Sequence, residues 1–191
     1  MRRAAGVMAA ASLALVAPAP AIAQAPPVPP PADQHTADCR APVFATDQLV
    51  CADPALRALD GEVAELLAGP GAPAASRWIE AQDQWFRHRS RCAFAEDHRA
   101  CAEAAYRERL ALLRPLDPAL ARQPVRCEDP GIAAIALAQD RIVLVDSEGK
   151  VAGAAAVGAG RSSWQPFLTA ARRKTAFTIR TLAGDAQRCR R

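Results

Sequence analysis

Six cysteines, at positions 39, 51, 92, 101, 127 and 189, limit the folds open to this chain more than any other feature. An even count in an exported chain reads as a disulfide framework. The N-terminus predicts export. Met1-Arg2-Arg3 is a basic start, Ala4 to Val16 is an uncharged run of mostly Ala, Leu and Val, and Ala21-Ile22-Ala23 offers small residues to a signal peptidase. Cleavage is expected after residue 23, or as late as residue 25. The apolar run falls short of the roughly 20 residues that span a bilayer. No cysteine follows it closely for lipid attachment, and no later run is long enough to cross. The expected protein is periplasmic or secreted, without a membrane span. No C-x-x-C or H-x-x-x-H spacing is present, so no metal and no cofactor is expected.

Charge argues against a nucleic-acid partner. Without Arg2 and Arg3 the chain has 22 basic and 20 acidic residues, a net +2. Residues 39–113 carry 9 basic and 11 acidic groups (−2), and residues 127–191 carry 10 and 6 (+4). Two modules of opposite bias are expected.

The patterning predicts where they lie. Residues 24–38 are rich in Pro and Ala and read as a tether. Asp53-Pro54 is a helix start, since Asp caps free N–H groups and Pro tolerates the first turn. Leu56, Leu59, Val63, Leu66 and Leu67 then form one apolar face, and Gly69-Pro70-Gly71 stops the helix. A second helix is expected from about Ser76 to Arg89, and a third from about Cys101 to Leu113. Beyond Cys127, the runs Arg141–Asp146, Lys150–Val157 and Ala176–Leu182 read as strands around turns. Residues 132–138 fit strand or helix equally. The expected fold class is α+β. A signal peptide (1–23) and tether (24–38) precede a disulfide-stapled three- or four-helix domain (39–114), a linker (115–126) and a small antiparallel β module (127–191).

Three blocks in the helical part resemble the LprI-type lysozyme-inhibitor family of bacterial envelopes. Cys51-Ala52-Asp53-Pro54-Ala55-Leu56-Arg57-Ala58-Leu59-Asp60 matches C-x-D-P-x-L-x-x-L-D. Gln82, Trp85, Arg89 and Cys92 match Q-x-x-W-x-x-x-R-x-x-C. Cys101, Tyr106, Arg109 and Leu113 match C-x4-Y-x2-R-x3-L. Cys39 and Thr46 stand where the family has an earlier Cys and a Ser or Thr. The resemblance covers residues 39–113 and implies a helical domain that binds and inhibits a lysozyme or another peptidoglycan hydrolase. Residues 127–189 are similar in size and outline to MliC-type lysozyme inhibitors. Arg161-Ser162-Ser163-Trp164 and Arg172-Arg173-Lys174 stand in place of that family's Ser-Gly loop and downstream Lys, so no inhibitory residues carry over.

The residues also have a reading of their own. Helices flanking 69–75 are expected to pack antiparallel, with facing numbers summing to about 145. Asp60 then lies opposite Trp85 and one turn from Arg89, free to accept from the indole or the guanidinium, with Tyr106 and Arg109 completing a cluster that fixes helix register. Asp60, Arg89 and Tyr106 supply no nucleophile and no proton shuttle, so no enzyme is expected. His88 and His98 read as solvated. The same geometry favours Cys39–Cys92 with Cys51–Cys101 slightly over the crossed alternative, against local pairs Cys39–Cys51 and Cys92–Cys101. Cys127–Cys189 is expected to staple the β module. A hydrolase is one expected partner. The alternative is a structural or adhesive role on an anionic wall or membrane surface through Arg172, Arg173 and Lys174.

Overall fold

A computed structural model describes residues 35–191 apart from 71, 74, 139 and 159–161. The expected signal peptide (1–23) and most of the expected tether (24–38) lie outside the described residues. The described residues are mixed α and β, with four α-helices, then eight strands, and three disulfides.

The helices are α1 (Ala45–Ala52), α2 (Pro54–Ala68), α3 (Gln82–Ser90) and α4 (His98–Leu113), with a 3-10 turn at Arg91–Phe94 between the last two. Asp53 caps α2 as expected, its Oδ1 accepting from the N–H groups of Ala55 (2.9 Å) and Leu56 (3.1 Å). Its other oxygen accepts from Arg99 Nε at 2.7 Å, tying the starts of α2 and α4 together. Leu56 and Val63 of the α2 stripe are fully buried against Tyr106, Leu110 and Leu113 of α4.

Residues 76–81 do not continue α3. Ser76 and Ile79 exchange backbone hydrogen bonds (3.0 and 3.2 Å), and Ser76 Oγ accepts from Trp78 N at 3.1 Å. Such a hydroxyl offers the backbone an alternative to helix. Trp78 instead packs with the sheet core and gives its indole N–H to Asp129 at 2.7 Å, while Ile79 packs with Leu112 and Ala154. The expected α2–α3 hairpin therefore does not form. Residues 76–81 are drawn onto the sheet by Trp78 and Ile79, and α2 packs on α4.

The disulfides correct the expected pairing. Cys39 bonds Cys51 and Cys92 bonds Cys101, closing separations of 12 and 9 residues. Each bridges one local chain reversal, the first folding the entry segment back along α1, the second closing the turn into α4. The crossed pairings relied on the α2–α3 hairpin. Cys127 bonds Cys189.

The strands are β1 (Arg122–Pro124), β2 (Arg126–Cys127), β3 (Ala134–Leu137), β4 (Arg141–Val145), β5 (Val151–Val157), β6 (Leu168–Arg172), β7 (Ala176–Thr181) and β8 (Ala186–Arg190). They form one sheet ordered β1-β3-β4-β5-β6-β7-β8-β2. Only Val125 separates β1 from β2, yet they occupy opposite edges. The edges are two halves of one kinked strand, so the sheet closes on itself as a barrel, which removes open edges. Pro124, which has no N–H to give a ladder, sits where the strand changes partner. Cys127 and Cys189 are register partners, so their disulfide staples the seam. The barrel begins at Arg122, inside the segment expected as linker, and the ambiguous stretch 132–138 supplies β3.

The module is not wholly antiparallel. β5 and β6 run parallel, joined by the segment 158–167. A parallel pair needs a crossover, and this one lays Trp164 against α4. Ile135, Ile142, Leu144, Leu168, Phe177, Ile179 and Cys189 fill the interior. Gly153 faces inward, where an added Cβ would meet Leu144 Cδ1 at 3.0 Å and the Trp78 carbonyl at 3.1 Å. Outside, Leu112 of α4 covers β5 at Ala154, while Leu116 and Leu120 cover Val143 and Val145. The outer wall of β6, β7, β8 and β2 carries exposed polar and small residues.

Candidate functional site

Side chains from all three blocks meet inside the helical part. Arg89, fully buried, donates to Asp47 Oδ1 and to the Tyr106 hydroxyl. Tyr106 in turn donates to Asp60 Oδ1 at 2.7 Å, and Asp60 also accepts from Ala37 N at 3.1 Å. Burial raises the Asp60 carboxyl against the Tyr106 hydrogen bond and the Arg89 charge. Burial also pushes the Tyr106 hydroxyl far above its ordinary range. Trp85 does not donate to Asp60. Its ring meets Tyr106 edge-on at 5.5 Å, and its indole nitrogen finds no acceptor among the described residues. Arg109 serves a second joint, donating to Gln82 Oε1 (2.6 Å) and the Glu80 carbonyl (2.8 Å), with its own pKa brought down to about 10 by burial. Leu56 and Leu113 are buried in the adjoining core and Leu59 packs on it, while Asp53 and Pro54 form the start of α2. Asp47, Asp60, Arg89 and Tyr106 lock the helices to one another.

The two histidines are not solvated. His88 is buried, stacked on Trp164 at 4.1 Å, with Nδ1 3.3 Å from Glu80 Oε2. His98 is half-buried, with Nε2 3.0 Å from Thr46 Oγ1, and burial together with the Arg89 charge lowers its pKa. Around His88 lies the joint between helices and barrel. Glu108 of α4 accepts from Trp164 Nε1 (2.6 Å) and Phe167 N (2.9 Å), anchoring the crossover. Burial pushes the Glu108 carboxyl up to about 7 even so. A cleft of about 480 Å³ opens beside Trp164. Its ions pair with each other, Arg107 with Glu103 (2.5 Å) and Arg141 with Asp140 (2.6 Å), leaving no uncommitted charge to receive a ligand.

Exposed cations without an ion pair gather on one side of the barrel, where Arg180 Nη1 also donates to the Gly184 carbonyl at 3.4 Å. Arg126, Arg180, Arg188 and Arg190 project from its outer wall, and Arg172, Arg173, Lys174 and Arg191 stand at the adjoining rim, all exposed. None of the eight forms an ion pair with a described residue. Arg126 and Arg190 are direct register partners. Like charges directly opposite on a sheet destabilise it, so this fold carries a repulsion that its stability does not call for. Thr169, Ala171, Ala176, Thr178 and Ala186 complete the wall without an acid or an aromatic ring. The β7–β8 turn holds Asp185, and Glu128 follows Cys127.

The sequence reading located Arg172, Arg173 and Lys174 but missed the wall arginines. The alternation in Ala186–Arg190 signals one charged face, yet only the register sets Arg126 beside it. Asp47, Glu108 and Trp164 were missed because nothing local marks a buried partner 42 or 56 residues away, and Glu80 because its contact with His88 forms only where segment 76–81 leaves the helix. Among the described residues, no three His, Cys, Asp or Glu side chains gather as a metal site requires, and no helix is long and apolar enough to cross a membrane. No family model matches the chain, and neither a curated protein nor a solved structure matches it.

Proposed function

We propose that this chain is an exported binding protein of the cell envelope that holds an anionic envelope component against the arginine wall of its barrel. The supporting observation is the wall itself, with eight exposed cations, none paired, two of them directly opposed. An anionic partner would relieve that repulsion, and guanidinium groups bind carboxylate and phosphate by paired hydrogen bonds. The three disulfides fit folding in an oxidising compartment, where a wall or membrane surface is within reach. Pull-down on isolated sacculi and on immobilised lysozyme separates the targets. Retention on sacculi that weakens with salt is expected, and retention on lysozyme alone overturns the reading.

The second reading is an LprI-like hydrolase inhibitor. The observation favouring it is that Asp60, Arg89 and Tyr106, one from each block, meet in one lock. On that reading the motif keeps the fold and the contact surface lies elsewhere on the helices, where Phe94 is 91% exposed. Basic lysozymes would be repelled by the arginine wall, and a −2 helical part steers them weakly. An inhibition titration with the purified protein tests it. Stoichiometric loss of lysozyme activity, abolished by Phe94→Ser with the fold intact, is the expected result.

A further inference from the structure

We infer that the wall's ligand is an extended, linear anionic glycan lying along one diagonal lane, not a membrane surface. This rests on the reading of the wall as an anion-binding face. The register places Arg126 opposite Arg190, Arg188 two residues further along β8 on the same face, and Arg180 one strand over and two residues further still. With strands about 4.8 Å apart and about 6.7 Å per residue pair, successive arginines are separated by roughly 5, 7 and 8 Å and the lane is about 16 Å long. The cations therefore form a line, which matches charges repeated along a chain.

The ground beside the line fits the same ligand. Ala176 and Ala186 are small enough for a chain to lie close to the sheet, Thr178 offers a hydroxyl of the kind that sugar hydroxyls pair with, and Thr169 Oγ1, which donates to the Arg180 carbonyl at 3.4 Å, is left to accept. Carboxylates on successive sugars would each meet a guanidinium. A membrane-binding face adds aromatic or long aliphatic side chains that enter the headgroup layer. This lane has none, and the exposed Leu182 lies in the β7–β8 turn beyond it. The wall is also the outside of a barrel, so its convexity lets a flexible chain follow the line while a plane touches only part of it.

Galacturonate oligomers of graded length are the probe, titrated calorimetrically against the purified protein, with phosphatidylglycerol vesicles as the comparison. Affinity should climb with length until the oligomer spans the lane and then level off, and salt should weaken it. Arg180→Ser, at the lane's end, should cost the long oligomers roughly tenfold, the loss of one charge-assisted contact. Arg188→Ser with Arg190→Ser should abolish binding, with circular dichroism confirming the fold. If vesicles bind while oligomers of every length bind no better than monomeric galacturonate, the lane is overturned and the anion-binding wall stands. If neither binds, both are overturned.

Discussion

Replacing Tyr106 with phenylalanine removes one oxygen and leaves the ring in its place against Trp85. That oxygen accepts from Arg89 and donates to Asp60 at 2.7 Å, and the residue is fully buried. A hydrogen bond to a charged group contributes about 1.5–3 kcal/mol. Two are lost, but neither ion is stranded, because Arg89 keeps Asp47 and Asp60 keeps the backbone N–H of Ala37. The expected cost is about 3–4 kcal/mol. In a unit of this size each kcal/mol lowers the melting temperature by about 2–4 °C, so Tyr106→Phe should melt roughly 6–16 °C below wild type. Calorimetry with the disulfides intact, checked by urea unfolding, reads the difference. A variant melting within about 2 °C of wild type would show that the three-block cluster does not lock the helices.

Two further effects follow from buried or stapled groups. Glu108 has its carboxyl raised from 4.5 to about 7 by burial. The folded state thus favours the protonated form, and stability present below pH 4.5 should be lost as pH rises through about 7. The shift corresponds to about 3 kcal/mol. Urea unfolding at pH 5 and pH 8 should show that fall in wild type and lose most of it in Glu108→Gln; an unchanged pH dependence in the variant would show that Glu108 is not its source. Converting Cys127 and Cys189 to serine opens a separation of 62 residues at the barrel seam. The chain-entropy account puts the loss near 4 kcal/mol, so the denaturation midpoint should drop well below that of the oxidised protein, and an unmoved midpoint would mean that strand pairing alone closes the seam.

Much of the fold was legible because it is written in local pattern. The Asp53-Pro54 cap, the α2 stripe and the β4–β5 and β7 strands each depend on residues within a few positions of one another. What escaped depends on competition between distant partners. Trp78 and Ile79 suit the buried face of a helix as well as they suit the barrel, and the barrel took them. The disulfide pairing followed from that error, since without an α2–α3 hairpin Cys51 and Cys92 have no reason to meet. Closure of the sheet hangs on Val125 alone, between two short strands with no alternation to read. The crossover that brings β6 parallel to β5 is anchored by Glu108, which accepts from a tryptophan 56 residues away. The candidate site was half-legible for the same reason. The Arg172, Arg173 and Lys174 run is visible in one dimension, whereas the lane exists only in the register of β2, β8 and β7.

Sedimentation of the purified protein with isolated sacculi, across a salt titration, tests the arginine wall most directly. The wild-type protein should pellet with the sacculi at low ionic strength and be released as salt screens the charges. The combined variant Arg126→Ser, Arg188→Ser and Arg190→Ser, which removes the opposed pair and its neighbour without touching the core, should stay in the supernatant while keeping its circular dichroism. A folded variant that pellets as the wild type does, with the same salt dependence, would contradict the account.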